Sequence, residues 1–205
     1  LVKFINTDDK LNGTLSFSST GSNNFYNTDV EEMQIINDLS YDSEDIYTNT
    51  GIKNNYSLLL KNVNSDGENS SKYKNNFDSE ILSSFMFETS YPLIREGLDF
   101  NNYLTPKLSI KYSPNNTKNI KDEDRKLNVD NIFSMNRIGF SDTVESGYSL
   151  TIGSEFKKTN KKNNEDLFGL SLATVFRNEF EENFPTTSSL GKTASDIVGS
   201  VILSP

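Results

Sequence analysis

The sequence predicts an all-β fold, an antiparallel transmembrane β-barrel segment of about nine strands from a larger outer-membrane barrel. Three observations predict it. Apolar and polar side chains alternate with a period of two, which is typical of strands with one apolar and one polar face. The connections between them alternate in length. Only 34% of the residues are hydrophobic, yet aromatic residues make up 11%. A barrel with an apolar outside and a wet inside has this composition.

The alternation places each strand in order along the chain. It is clearest near the middle, where Leu108, Ile110 and Tyr112 share a face opposite Ser109 and Lys111. Each segment is near the ~9–11 residues that a tilted strand needs to cross a bilayer. The predicted strands are residues 1–5, 11–19, 33–41, 46–62, 81–91, 104–112, 148–156, 170–177 and 197–203. Because the chain opens and stops in a strand, we expect it to be a slice of something longer.

Every second connection between the predicted strands is the longer one. The shorter connections are residues 7–10, 42–45, 93–102 and 159–165, and the longer ones are 21–29, 63–75, 113–147 and 178–194. Outer-membrane barrels have short periplasmic turns and longer extracellular loops. The pattern therefore predicts that residues 113–147 face outward.

Composition and motifs argue against nucleic-acid binding, enzyme activity and metal binding. The net charge of -9 disfavours nucleic-acid binding, which needs clustered Lys and Arg. The chain has no His and no Cys, and it lacks a nucleophile elbow, a P-loop and a dinucleotide-binding glycine motif. The acidic run at residues 122–124 has neither the Gly nor the closing Glu of a calcium loop in register. We therefore expect no enzyme activity, no cofactor and no metal.

Three short segments in the second half of the chain form a distinctive series. The first is Tyr-Ser-Pro-Asn at 112–115. The second runs from Asp-Asn-Ile-Phe at 130–133 through Asn-Arg to Tyr-Ser-Leu-Thr-Ile-Gly at 148–153, and the third is Ser-Asp-Ile-Val-Gly at 195–199 with the final Leu-Ser-Pro. In this order and spacing they resemble the C-terminal barrel of the LPS-assembly protein family LptD. The residues that carry the resemblance are Tyr112, Pro114, Asn131, Phe133, Arg137, Gly153, Ser195, Asp196 and Gly199.

The resemblance covers residues 104–205, and the first half agrees only in its strand pattern. The chain also departs from the family. It has Asn136-Arg137 where Asp-Arg is common, and Asp142-Thr143 where a second Asp-Arg is common. Some members carry disulfides to a periplasmic domain, and a segment without Cys cannot form them.

The resemblance implies that residues 1–205 are part of one barrel domain with no internal boundary. It implies a protein of the Gram-negative cell outer membrane, set among outer-membrane lipids, that receives lipopolysaccharide (LPS) from a periplasmic Lpt bridge through a domain absent here. The protein would insert LPS into the outer leaflet with an LptE-like lipoprotein plug in its lumen. The polar strand faces would then line the lumen or touch the plug, through Gln34, Asp38, Ser84, Glu88, Lys107, Lys111 and Arg177. Reversing the charge of both lysines is expected to alter plug binding or lipid transport while leaving the barrel folded.

Two other classes share parts of this pattern. A general transport barrel, such as a porin or a plugged receptor, has the same strands and loops but not the three segments in this order. A surface-exposed β-sheet binding protein would keep polar residues on its outward faces.

Overall fold

The computed structural model describes residues 2–6, as backbone, and residues 12–204. In these residues the chain forms one antiparallel sheet. The predicted connection 7–10 and residues Leu1, Leu11 and Pro205 lie outside the described residues. The strands are β1 (Val2–Asn6), β2 (Gly13–Tyr26), β3 (Val30–Ser43), β4 (Ile46–Tyr47), β5 (Lys53–Glu68), β6 (Asp78–Ser90), β7 (Leu93–Glu96), β8 (Phe100–Ser113), β9 (Gly147–Asn160), β10 (Asp166–Arg177) and β11 (Val198–Leu203).

The sheet is a meander in which each strand pairs with the next along the chain. The order is β1-β2-β3-β5-β6-β8-β9-β10-β11, and the short strands β4 and β7 pair with β5 and β8. Strand β4 continues the line of β3, and β7 continues that of β6. The nine positions of this path confirm the predicted all-β architecture of about nine strands. Within the described residues the sheet is not closed, and β1 and β11 form its edges.

Alternation along the strands gives the sheet two chemically different faces. On the outer face, large apolar side chains stand exposed in register. Phe17 pairs with Leu39, and Leu39 with Leu60, and these side chains are 38%, 40% and 48% exposed. The inner face carries mostly polar residues and is covered in part by the two long loops, residues 114–146 and 178–197. The faces therefore invert the usual arrangement of a water-soluble sheet, whose apolar face is covered.

The turns lie at alternate ends of the sheet. One end, the lower end, has short turns at 48–52, 97–99 and 161–165. The other, the upper end, has connections at 27–29, 69–77, 114–146 and 178–197. The predicted alternation is confirmed for the last three of these. It is wrong at 21–29, where the Asn- and Ser-rich sequence continues as strand to Tyr26 because its backbone pairs fully with β3.

Other predicted boundaries are also corrected. The predicted connection 42–45 is only an interruption between β3 and β4, and the chain reverses at 48–52, where Gly51 adopts a φ of 84°. The predicted strand 46–62 is therefore two strands. Strand β5 continues into the predicted loop 63–75 as far as Glu68. Within the predicted connection 93–102, strand β7 forms after Pro92, which cannot donate a ladder hydrogen bond.

The buried apolar clusters lie where the long loops meet the inner face. Ile132 and Ile138 of loop 114–146 pack with Val175 of β10 and with Phe184 and Leu190 of loop 178–197. A smaller cluster joins Ile36, Val63 and Leu82 of the sheet to Val144 of the loop. These contacts anchor the loops to the strands.

Candidate functional site

The seven polar residues predicted to line a lumen share the inner face. Two of them form ion pairs with neighbours on that face. Lys61 Nζ lies 2.5 Å from Asp38 Oδ1, and Lys107 Nζ lies 2.6 Å from Glu155 Oε1. The other five are Gln34, Ser84, Glu88, Lys111 and Arg177. Their contact with a plug or with a transported lipid stays a prediction.

Loop 114–146 covers the upper part of the inner face. It leaves β8 after Ser113, crosses the strands and returns at Gly147 to begin β9. Lys111 and Arg177 lie beneath the loop and are 3% and 7% exposed. A separate partner could touch these two side chains only if the loop moved away.

Glu145, near the end of this loop, is the centre of a buried charge cluster. Arg137 Nε lies 2.7 Å from Glu145 Oε2, and Arg137 Nη2 lies 2.6 Å from Oε1. Lys111 Nζ lies 3.0 Å from Oε2, and Arg177 Nη1 also donates to Oε1. The side chains of all four residues are at most 4% exposed. One carboxylate thus joins β8, the loop and β10.

The electrostatics of the cluster keep Glu145 ionised. Burial alone would raise the pKa of Glu145, but the positive charges of Arg137 and Lys111 and the hydrogen bonds from Arg137 hold it well below its ordinary value of 4.5. Three cations surround this one carboxylate. Removing the carboxylate would leave buried cations without compensation, which is strongly destabilising.

Arg137 also attaches the loop directly to strand β9. Its Nη1 donates to Thr151 Oγ1 at 2.8 Å and to the Ile132 carbonyl at 3.3 Å. Its Nη2 donates to Ser149 Oγ at 2.5 Å. The guanidinium therefore uses its planar fork for a bidentate carboxylate pair and for the strand hydroxyls, a combination that Lys cannot reproduce.

Asp142 forms a second attachment, between loop 114–146 and the connection 69–77. Lys118 Nζ lies 2.9 Å from Asp142 Oδ2, the Tyr73 hydroxyl donates to the same oxygen at 3.4 Å, and Lys72 Nζ lies 3.7 Å away. Burial raises the pKa of Asp142, but the hydrogen bond and the charge of Lys118 outweigh it and lower the pKa. The loop is thus held at two places, by strands β8–β10 through Glu145 and Arg137 and by the connection 69–77 through Asp142.

Two residues of the family-like segments meet at the base of the loop. A Cβ on Gly153 would lie 2.9 Å from Phe133 Cζ, 2.9 Å from Ala173 Cβ and 2.9 Å from the Leu172 carbonyl oxygen. Real Cβ atoms do not approach so closely. Gly153 therefore leaves the space on β9 into which the Phe133 ring packs.

The other residues of these segments take several places. Tyr112 stacks on Tyr148 on the outer face, with ring centroids 4.2 Å apart. Ser195 Oγ accepts the Val175 amide at 2.9 Å and so ties loop 178–197 to β10. Asn131 Nδ2 donates to the Lys126 carbonyl within the long loop. Pro114 lines a groove on the sheet, Asp196 donates its amide to Ser189 Oγ, and Gly199 of β11 lies against Leu172 of β10.

Sequence reasoning missed Glu145, Asp142 and Lys61. One signal for the Glu145 cluster was available in the sequence, since the chain has only four arginines, at positions 95, 125, 137 and 177. A buried Arg needs a carboxylate partner, and Glu145 is the acidic residue nearest to the start of β9. The pairing with Arg177 crosses 32 residues, and no local pattern indicates it.

The described residues offer no metal centre, since no three His, Cys, Asp or Glu side chains are arranged to hold an ion. In the same residues no helix has the length and apolarity needed to span a membrane. What the arrangement provides is a polar wall, an apolar opposite surface and a loop fastened to the wall by charges.

Comparison with known proteins identifies the family. The family model "LptD: LPS transport system D" matches residues 47–205, which is more than half of the chain. None of the curated proteins matches the chain. The matched family transports LPS at the outer membrane of Gram-negative bacteria and is not a family of enzymes. Given the antiparallel sheet and this match, the chain belongs to the LptD family of LPS transport proteins.

Proposed function

We propose that residues 1–205 form a continuous part of the wall of a closed LptD-type barrel that inserts LPS into the outer leaflet as a translocon. The unbroken meander from β1 to β11 supports a single domain without an internal boundary. The two edge strands β1 and β11 would pair with further strands, because unpaired edges are not tolerated in lipid.

The exposed apolar face carries this proposal. Leu58, Leu60, Ile110, Ile152 and Phe176 are each 42–48% exposed on the outer face. Large apolar side chains that stand exposed side by side on neighbouring strands mark a surface that contacts lipid or another protein. Exposure of these side chains to water is unfavourable, and contact with lipid removes that free-energy cost. The outer face would therefore contact the membrane and the inner face the lumen.

The inner face supports a lumen that is filled in part by the chain's own loop. Beneath loop 114–146 the wall is closed to a partner, whereas Glu88, Lys107 and Glu155 toward the lower end stay partly exposed. We place the contact with an LptE-like lipoprotein plug on this uncovered part. LPS would arrive from a periplasmic Lpt bridge below it.

A pair of neighbouring residues on β6 tests the proposal. A photo-crosslinking amino acid at Glu88, on the inner face, is expected to capture the lipoprotein or LPS in cells that produce the full-length protein. The same amino acid at Phe87, on the outer face, is expected to capture neither the lipoprotein nor another lumen component. Capture of the lipoprotein from position 87 but not 88 would contradict the assignment of faces.

A further inference from the structure

A row of uncharged polar side chains crosses the outer face directly above its apolar band. Ser19 Oγ donates to Asn37 Oδ1 at 2.7 Å, and Asn37 Nδ2 donates to Asn62 Oδ1 at 3.2 Å. Asn62 Nδ2 donates to Ser79 Oγ at 3.2 Å, and Ser79 Oγ donates to Asn64 Oδ1 at 2.8 Å. We call these five residues the amide belt. It spans four neighbouring strands, β2, β3, β5 and β6.

The outer face changes character across the amide belt. Below it, the face of β3 and β5 carries Leu39, Tyr41, Leu58 and Leu60, without a charged side chain as far down as Ser43 and Tyr56. Above the belt, the same face carries acidic residues in direct register: Glu31 pairs with Glu68, and Met33 with Asp66. Carboxylates on a lipid-facing surface are costly within the hydrocarbon. The hydrocarbon region must therefore end between the leucines and these acids.

Strand length gives the same boundary. From Lys53, at the lower end of β5, to Asn62 the strand has the ~9–11 residues that cross a bilayer at a tilt. Strand β3 continues above Asn37 to Val30, which at ~3.4 Å per residue is about 24 Å of further strand. That part of the sheet would project beyond the membrane.

We propose that the amide belt lies at the outer-leaflet surface of the membrane and contacts the lipid headgroups there. This inference rests on the proposed function, because it requires the outer face to meet lipid. The belt donates and accepts hydrogen bonds without carrying charge, and the acids above it disfavour phosphate. Its chemistry therefore fits the hydroxyl groups of sugar-bearing headgroups.

Spin labels on the outer face of β3 and β5 test the placement without changing the belt. Single nitroxides would be placed at Leu58, Leu39, Ile35 and Glu31 of the full-length protein, in vesicles of phospholipid and LPS. Oxygen is expected to reach the labels at 58 and 39 best. A water-soluble nickel chelate is expected to reach position 31 best. The ratio of the two accessibilities reports the membrane depth of each label, and the label at position 35 should have an intermediate depth.

Each other outcome points to a different failure. If Ile35 has the depth of Leu58, the belt lies within the hydrocarbon and the inference is wrong. If neither reagent reaches Ile35, a protein covers the belt, which also overturns it. If the chelate reaches Leu58 freely, the outer face does not meet lipid, and it is the proposed function that fails.

A substitution in the belt adds a second readout. Asn62→Leu is expected to extend the apolar band and to shift the label at Ile35 deeper, toward the value at Leu39. Asn55→Leu, on the same strand but on the inner face near the lower end, is the matched control and should leave that depth unchanged. An equal depth at Ile35 in the Asn62→Leu variant and the parent would contradict a boundary set by the belt.

Discussion

Arg137 and Glu145 form a buried bidentate ion pair, with Nε–Oε2 and Nη2–Oε1 distances of 2.7 and 2.6 Å, at the point where loop 114–146 returns to the sheet. The two residues are only eight positions apart, so the pair closes the end of the loop on itself. Lys111 and Arg177 then connect the same carboxylate to strands β8 and β10. The loop is thus fastened to the wall by one carboxylate shared among three cations.

Neutralising this carboxylate should release the loop. Glu145→Gln leaves three buried cations without a compensating charge, and breaking a buried pair from one side costs about 3–5 kcal/mol. We expect faster hydrogen–deuterium exchange at the Ser146 amide, which donates to Thr117 Oγ1 in the docked loop. The control is Glu155→Gln, whose pair with Lys107 is half exposed and contributes about 0–1 kcal/mol. Equal exchange in the two variants would contradict the role of Glu145.

Filling the space at Gly153 should displace Phe133. In Gly153→Ala the added Cβ would lie 2.9 Å from the ring, and overpacking of this kind costs about 1–3 kcal/mol. Gly169→Ala is the matched control on β10, because its Cβ would meet Ile202 at an ordinary 3.5 Å. The thermal unfolding midpoints of the full-length protein in detergent measure the difference. If Phe133→Leu does not restore part of the loss in the first variant, the contact is not the cause.

Acid should loosen the loop, and neutral pH should not. The pKa of Glu145 is lower in the folded protein than its ordinary value of 4.5, and that of Asp142 is also lowered. A depressed carboxyl pKa contributes stability that is complete above the unfolded value and is lost as the pH falls below it. Hydrogen–deuterium exchange of the loop amides, corrected for intrinsic rates, should therefore be constant from about pH 7 to about 5 and increase below that. The Glu145→Gln variant should show a smaller increase, and an increase near pH 7 would contradict the assignment.

Lys107 and Lys111 of the inner face should behave differently when their charges are reversed. Lys111 donates to Glu145 and to the Met135 carbonyl beneath the loop, so Lys111→Glu would place a second carboxylate in the buried cluster and should undock the loop. Lys107 is partly exposed beside Glu155, and Lys107→Glu should weaken recovery of the lipoprotein plug while loop exchange stays unchanged. The double charge reversal expected from the sequence to leave the barrel folded would combine loop undocking with weaker plug recovery. Undocking by Lys107→Glu, measured by the same exchange, would contradict the distinction.

Much of the architecture could be predicted because alternation is a local property. The faces assigned to Ile35 and Leu39 against Gln34 and Asp38 agree with the observed register, since a period of two determines which side chains share a face. Boundaries were less predictable. The polar segment 21–26 has turn-like composition, but pairing with β3 satisfies its backbone and outweighs that preference.

The alternating faces, the positions of the two longest loops and the three segments that resemble the family can be read from the sequence. All of these depend on residues close together along the chain. The position of loop 114–146 on the inner face, and the pairing of Glu145 with Lys111, Arg137 and Arg177, depend on the three-dimensional fold. The physical reason is that a buried carboxylate takes as partners whichever cations the fold brings within hydrogen-bond distance. Sequence spacing does not encode that distance when the partners lie on strands β8 and β10.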